Sequence, residues 1–413
     1  MKARPDLVSK DTPDGVEVFQ LTEGEVPCSH VYMEAQIFAP DSKRFVLHRS
    51  AHAHGSSKDD PEHRYLVCDL DNGGVLTPIT AETGATGPSL SPDGAVCYYF
   101  VNETETNGGR LTLKRVGLDG TGRETVLVID APPHGAVRRP SRIYPLSTIS
   151  SDGKRMAQPG FFGDGIEENA PWGLMVIDLE RGSVEVVLEG PTWLNLHPQY
   201  CRSTGEAACH DVMVQENHGC AYDLSGACTT LVSGKGADIH VIADDGTGMR
   251  NLPWGRDGDE FCQGHQCWRG CEVSAITSTS VRSSGDKGLV ESAAVEFAGH
   301  VGLATPGGVR SVLSRTFPKP SFSHFATDMA GLRFISDARV GQQWLLYTAE
   351  FGGAASDPLK DWTFVLDTRS NATLKTTHPH PFLSPDGTRG FFNSDESGTL
   401  HAYMVTGLFG EQA

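Results

Sequence analysis

The chain has 413 residues, with 34 basic against 52 acidic side chains and a net charge of −18, and no Lys/Arg-rich block able to track a phosphate backbone. Nucleic acid is therefore not an expected partner. Apolar residues make up 38 % and no run approaches the roughly 18 consecutive apolar residues that span a bilayer, so no membrane partner is expected either. Met1 to Asp6 lead into polar sequence rather than an apolar leader, so a cytoplasmic setting is expected, with the ten cysteines as free thiols. Gly 47 and Pro 24 mean many turns and few long helices, and the expected class is all-β.

In chain order, the first strand-like segment runs from Gly15 to Thr22. A phrase then recurs, an apolar residue before a tight Ser/Pro-Asp-Gly type of turn and an apolar strand behind it. It is clear at Phe38–Ser42, Leu90–Gly94, Ile149–Gly153 and Leu383–Gly387, with weaker versions at Tyr200–Gly205, Trp268–Gly270 and Phe325–Met329. Asp41, Asp93, Asp152, Ser203, Arg269, Asp328 and Asp386 mark these seven copies, 51 to 66 residues apart. That is a supersecondary period. Each copy continues into a second hairpin, as in Tyr65–Leu70 with its Asn72-Gly73-Gly74 turn, Leu174–Leu179, and Thr363–Asp367.

Four strands per unit is a propeller blade, and units of this size must stack around an axis to bury both faces. The expectation is one domain over residues 1–413, a seven-bladed β-propeller of four-stranded blades. The last segment, Leu400–Val405, ends a blade one strand short, so the N- and C-terminal strands are expected to share the last blade and remove an open edge. Two linked β-sandwiches are the competing layout, for which no linker is visible. Thr104 to Gly109, Gly163 to Asn169 and Ser283 to Lys287 look like loop tips.

A propeller does not specify function, so the site must come from residues. His197, His265, His324, His378 and His380 all fall four to eight residues before a marker, in four successive units, where the architecture would bring them together. In His378-Pro379-His380, alternate residues of an extended segment could present two imidazoles to one ion. His324 from the preceding unit would be a third nitrogen, a set suiting a first-row metal rather than calcium. Solvated histidines at a kinked strand are the plain alternative. Cys262, Cys267 and Cys271 around His265 invite a zinc reading, but none of their spacings is that of a zinc knuckle.

Thr377–Pro381, followed by Phe382–Asp386 and Phe391–Asp395, resembles the last blade of the oligogalacturonate lyases. Those are seven-bladed propellers that cleave short pectic oligouronates by β-elimination. Further matches are Thr192-Trp193-Leu194 with His197-Pro198 and Tyr200, Cys209-His210, Asp244-Asp245-Gly246 with Arg250, Cys262 and His265 with Trp268, and Pro320 with Ser323-His324. The resemblance implies His265 as the catalytic base and His324, His378 and His380 as metal ligands, for manganese above all, with a small acidic oligosaccharide as substrate. His197 and His210 would bind its hydroxyls or carboxylate. Two departures stand out. The family's glutamine ligand falls at Lys375, which cannot coordinate a metal and would either face the substrate carboxylate beside an ion that keeps a water or replace the ion's charge altogether, and a family arginine falls near Asp238. A lyase on a different acidic glycan and a non-catalytic binding propeller remain alternatives.

Overall fold

The computed structural model describes the chain apart from residues 106–107, 232–235, 254–259, 283–288, 291–300, 309–310, 314–321, 355–356 and 411–413. The loop tip expected at Ser283 to Lys287, part of the one at Thr104 to Gly109, and Pro320 lie outside the described residues. The described chain is almost wholly strand and turn, with 3-10 turns at Pro5–Leu7 and Lys375–Thr377. No helix among the described residues is long and apolar enough to cross a membrane.

The strands group in chain order into antiparallel sheets. Ala85–Leu90, Val96–Glu105, Gly108–Gly117 and Glu124–Ile129 form one four-stranded meander, and Phe322–Thr327, Arg333–Val340, Gln343–Ala354 and Asp357–Asp367 form another. Two nine-stranded sheets are each two such groups joined by a single residue pair, Cys28 with His401 in one and Ala237 with Cys262 in the other. Burial explains why these segments are strands. Trp172–Asp178 is buried at every position, as befits a strand covered on both faces, whereas its outer neighbour Ser183–Gly190 keeps its alternate residues Ser183, Glu185 and Glu189 exposed.

The recurrent turn has one geometry. Ser91, Ser150 and Ser384 each donate their hydroxyl to the aspartate two residues on at 2.6 Å, and Gly94, Gly153 and Gly387 each donate their N–H back to that serine's carbonyl at 2.8 Å. These glycines have φ of +67°, +75° and +70°, which explains the residue type. Turns of successive repeats touch. A Cβ on Gly94 would meet Pro40, one on Gly153 would meet Pro92, and one on Gly387 would meet Asp328. Ser151 donates to the Ser203 carbonyl at 2.6 Å and the Asp386 N–H donates to the Ser42 hydroxyl at 3.0 Å, so the last turn reaches the first. Together the turns line a mostly apolar cavity of about 260 Å³.

Between the first and last groups the core is aromatic. Phe38, Phe45, Phe382 and Phe391 lie with ring centroids 4.9–6.2 Å apart, each buried ring contributing roughly 1.5–3 kcal/mol. Glu17–Gln20 pairs antiparallel with His401–Thr406, from Glu17 opposite Thr406 to Gln20 opposite Tyr403. Arg4 clamps this junction, bonding Gln20 at 3.0 Å, Asp6 at 2.8 Å and Glu396, while Tyr403 donates to Glu396 at 2.6 Å. All ten cysteines are free.

Candidate active site

The candidate site lies at the ends of the inner strands opposite the turns. His378 and His380 precede Phe382–Leu383, His324 sits in Phe322–Thr327, and His265 sits in Glu260–Trp268. Their rings meet. Centroids are 4.1 Å apart for His324 and His380, 5.3 Å for His324 and His378, 5.6 Å for His378 and His380, and 4.6 Å for His265 and His324.

Local backbone irregularity aims these rings. Between Cys262 and Gln266 one strand advances four residues while its partner advances two, from Thr279 to Thr277, and this bulge turns His265 inward. Gly264 within it has no room for a side chain, since a Cβ would lie 2.5 Å from Gln215 Nε2. His380 and His197 both adopt φ of +46°, an unfavourable region for a side chain that is found where function holds the backbone in place.

The hydrogen bonds leave several ring nitrogens of the cluster unpartnered. His380, fully buried, donates from Nδ1 to the Ala53 carbonyl at 2.9 Å, and its Nε2 has no partner. Asp337, also fully buried, accepts the His324 backbone N–H at 2.9 Å and binds His324 Nδ1 at 2.9 Å. His378 Nδ1 and His265 Nδ1 are buried without partners. A buried imidazole nitrogen without a donor or acceptor costs free energy, and a cation is what such atoms accept, so the donor set fits a metal. The carboxylate behind His324 is the usual outer support of a ligating imidazole. Nitrogen donors of this kind suit Mn, Fe, Zn or Ni better than calcium.

Burial sets the protonation states. It pushes His265 down to about 4, helped by His197 and His378, and His378 down to about 4, helped by Lys375 and Arg339. His324 and His380 are driven well below the ordinary imidazole range by burial first, then by His380 for His324 and by His54 and His378 for His380. All four are neutral at physiological pH and offer lone pairs rather than protons. Burial pushes the Asp337 carboxyl up, opposed by the backbone N–H groups of His324 and His380.

His197 stands beside this cluster. Its Nδ1 binds Glu34 at 2.6 Å, its Nε2 binds the Tyr144 hydroxyl at 3.1 Å, and its ring lies 5.4 Å from Tyr32, which itself packs 4.6 Å from His380. Lys375 is exposed on the 3-10 turn leading to His378, and its ammonium has no ion pair among the described residues. His210 does not join them. It binds Asp244 at 2.8 Å and Asp152 at 3.4 Å, at the turn end of the strands. Three residues absent from the sequence reading belong to the site, namely His54, Asp337 and Glu34. His54 lies 5.2 Å from His378 and 4.7 Å from His380.

No protein-family model matches the chain. An oligogalacturonide lyase from Pectobacterium atrosepticum is 23 % identical over 427 aligned positions, covering 96 % of this chain and 94 % of the relative. A solved structure described as oligogalacturonate lyase in complex with manganese superposes with a TM-score of 0.70 at 21 % identity, covering 96 % of this chain and 95 % of the other. Over nearly its whole length the chain is similar to oligogalacturonate lyases. More distantly, the β-propeller domain of the trilobed protease from Pyrococcus furiosus superposes with a TM-score of 0.52 at 10 % identity, covering 93 % of this chain and 96 % of that one. The fold is thus all-β and propeller-like, in agreement with the repeat in the sequence. The likeness spans nearly the full length of both chains.

Proposed function

We propose that the protein is a cytoplasmic oligosaccharide lyase that cleaves short oligogalacturonate-like substrates by β-elimination, on a single seven-bladed propeller spanning residues 1–413. The chain of touching turns and the single-pair seams inside the two nine-stranded sheets support seven blades and closure. The ten free cysteines support a reducing compartment. The observation that carries the chemistry is the convergence of His265, His324, His378 and His380, with three of their nitrogens buried and unpartnered.

His324, His378 and His380 would hold a divalent cation, for which manganese is favoured because a solved relative binds it. Bound there, the cation supplies positive charge to a substrate carboxylate and stabilises the negative charge that develops beside it. His265, neutral and with a free Nδ1, takes the proton from the carbon alpha to that carboxylate. The electron pair released forms the carbon–carbon double bond, the bond to the glycosidic oxygen on the neighbouring carbon breaks, and that oxygen takes a proton from solvent. An anionic substrate beside His265 raises its affinity for the proton it accepts. Lys375 binds the sugar's carboxylate at the mouth, whereas His197, buried with both ring nitrogens taken by Glu34 and Tyr144, supports the cluster without touching the sugar. His210, turned to the other end of the strands, has no part in this reading.

The test follows unsaturated uronate by its ultraviolet absorbance. Full-length protein with manganese and digalacturonate should form it, and His265→Ala should lose at least 100-fold in kcat with an unchanged melting temperature. Full activity in His265→Ala would remove the base. A second reading, a lyase on a different acidic glycan, is favoured by Asp238, which pairs with His218 at 2.7 Å where the family carries an arginine. Comparing digalacturonate with other oligouronates separates the two.

A further inference from the structure

We infer that His54 is a fourth imidazole ligand of the cation site, delivered across the junction between the first and last strand groups. The inference rests on the reading of His378 and His380 as ligands. His54 sits at the tip of a two-stranded hairpin, Ala51–His52 paired with Gly55–Ser56, that hangs from the first group. That hairpin is tied to the opposite segment at one residue. The Ala53 N–H donates to the Thr376 carbonyl at 2.8 Å, and the Ala53 carbonyl accepts His380 Nδ1–H at 2.9 Å. One alanine therefore fixes two things together, the tautomer that leaves His380 Nε2 free and the place of the next side chain, His54.

Nitrogens of His54, His378 and His380 all lie within 4.8 Å of one another. Two imidazole nitrogens on one ion, each at roughly 2.0–2.1 Å, are separated by at most about 4.2 Å, so a small rotamer adjustment closes the set. Among the described residues neither ring nitrogen of His54 has a hydrogen-bond partner, and the residue is exposed. Lys375, at the position from which the family supplies a glutamine ligand, cannot serve. Its ammonium contributes charge near His378 without a lone pair. His54 restores the missing donor from a place in the chain 324 residues before His378.

The test is a Mn2+ titration of metal-free, full-length protein by isothermal calorimetry, with nitrogen couplings to bound Mn2+ read by pulsed electron paramagnetic resonance. Wild type should bind one ion. His54→Ala should weaken binding by at least 10-fold and lose one imidazole coupling, while His54→Gln, whose amide oxygen can coordinate, recovers part of the affinity. Metal-free melting temperatures should agree among the three, because His54 lies at the open mouth. If His54→Ala binds Mn2+ as tightly as wild type, with all imidazole couplings retained, while His378→Ala does not bind, His54 is no ligand and the reading of the other histidines stands. If wild type binds no Mn2+, that underlying reading fails and the inference falls with it.

Discussion

Asp337→Asn is the sharpest test of how the imidazoles are held. The wild-type carboxylate is fully buried and makes two 2.9 Å bonds to one residue, accepting the backbone N–H of His324 on Oδ1 and holding Nδ1 on Oδ2. An asparagine has one oxygen and one NH2 in their place. If the oxygen keeps the backbone bond, the NH2 faces Nδ1 and must donate to it, so the ring proton moves to Nε2, the nitrogen needed by an ion. The expected loss is about 10–100-fold in Mn2+ affinity, or about 1.4–2.7 kcal/mol, with about 1–3 kcal/mol lost from folding stability. Calorimetric titration gives the first number, urea denaturation the second, and 15N shifts of His324 the tautomer. Mn2+ affinity within twofold of wild type, with the tautomer inverted, would refute the proposed ligand role of His324.

The remaining predictions concern the mouth, the pH response and the terminal clamp. Lys375→Ala should raise KM for an acidic disaccharide about tenfold with kcat nearly unchanged, and a fall in kcat at constant KM would show that Lys375 does not bind ground-state substrate. His265 and His378 have native pKa values pushed below the ordinary 6.5 to about 4, so the unfolded chain binds more protons between those values. Stability should therefore be full above pH 6.5 and fall as pH drops towards 4, by up to about 3 kcal/mol per group, and chemical denaturation of metal-free protein at pH 7 and pH 5 checks the direction. Glu396→Ala strands Arg4 in a site where its side chain is only 11 % exposed, and should cost about 3 kcal/mol in urea denaturation. Asp6, still bonded to Arg4 at 2.8 Å, limits the loss.

Much of the fold could be read from the sequence because its turns are chemically explicit. Ser-Pro-Asp-Gly encodes the serine–aspartate bond and the left-handed glycine together, and the three clearest copies share that geometry. The site histidines were findable for the same reason, since a residue before the turn lies at the end of the inner strand away from it. His210 follows its turn, and so comes out beside Asp152 and Asp244 instead. Asp337 left a fainter mark, a lone acid inside the apolar strand Arg333–Val340, a pattern that signals a buried partner without naming it. Glu34 and His54 left none. Each meets its partner across more than 160 residues of chain, Glu34 with His197 and His54 with His378, and no local pattern encodes such pairings.

The cavity among the turns and the histidine cluster occupy opposite ends of the same short strands, and the inner side of the cluster is closely packed. Tyr32, His324 and His380 are 5 %, 1 % and 0 % exposed, and the His380 ring lies 4.1 Å from that of His324 and 4.6 Å from that of Tyr32. Rings in such contact leave no room for a sugar to pass between them. Under the proposed reaction, both fragments of a cleaved chain must back out through the same doorway by which the intact one came in, so slow departure of either would throttle turnover and accumulated product would compete for the vestibule.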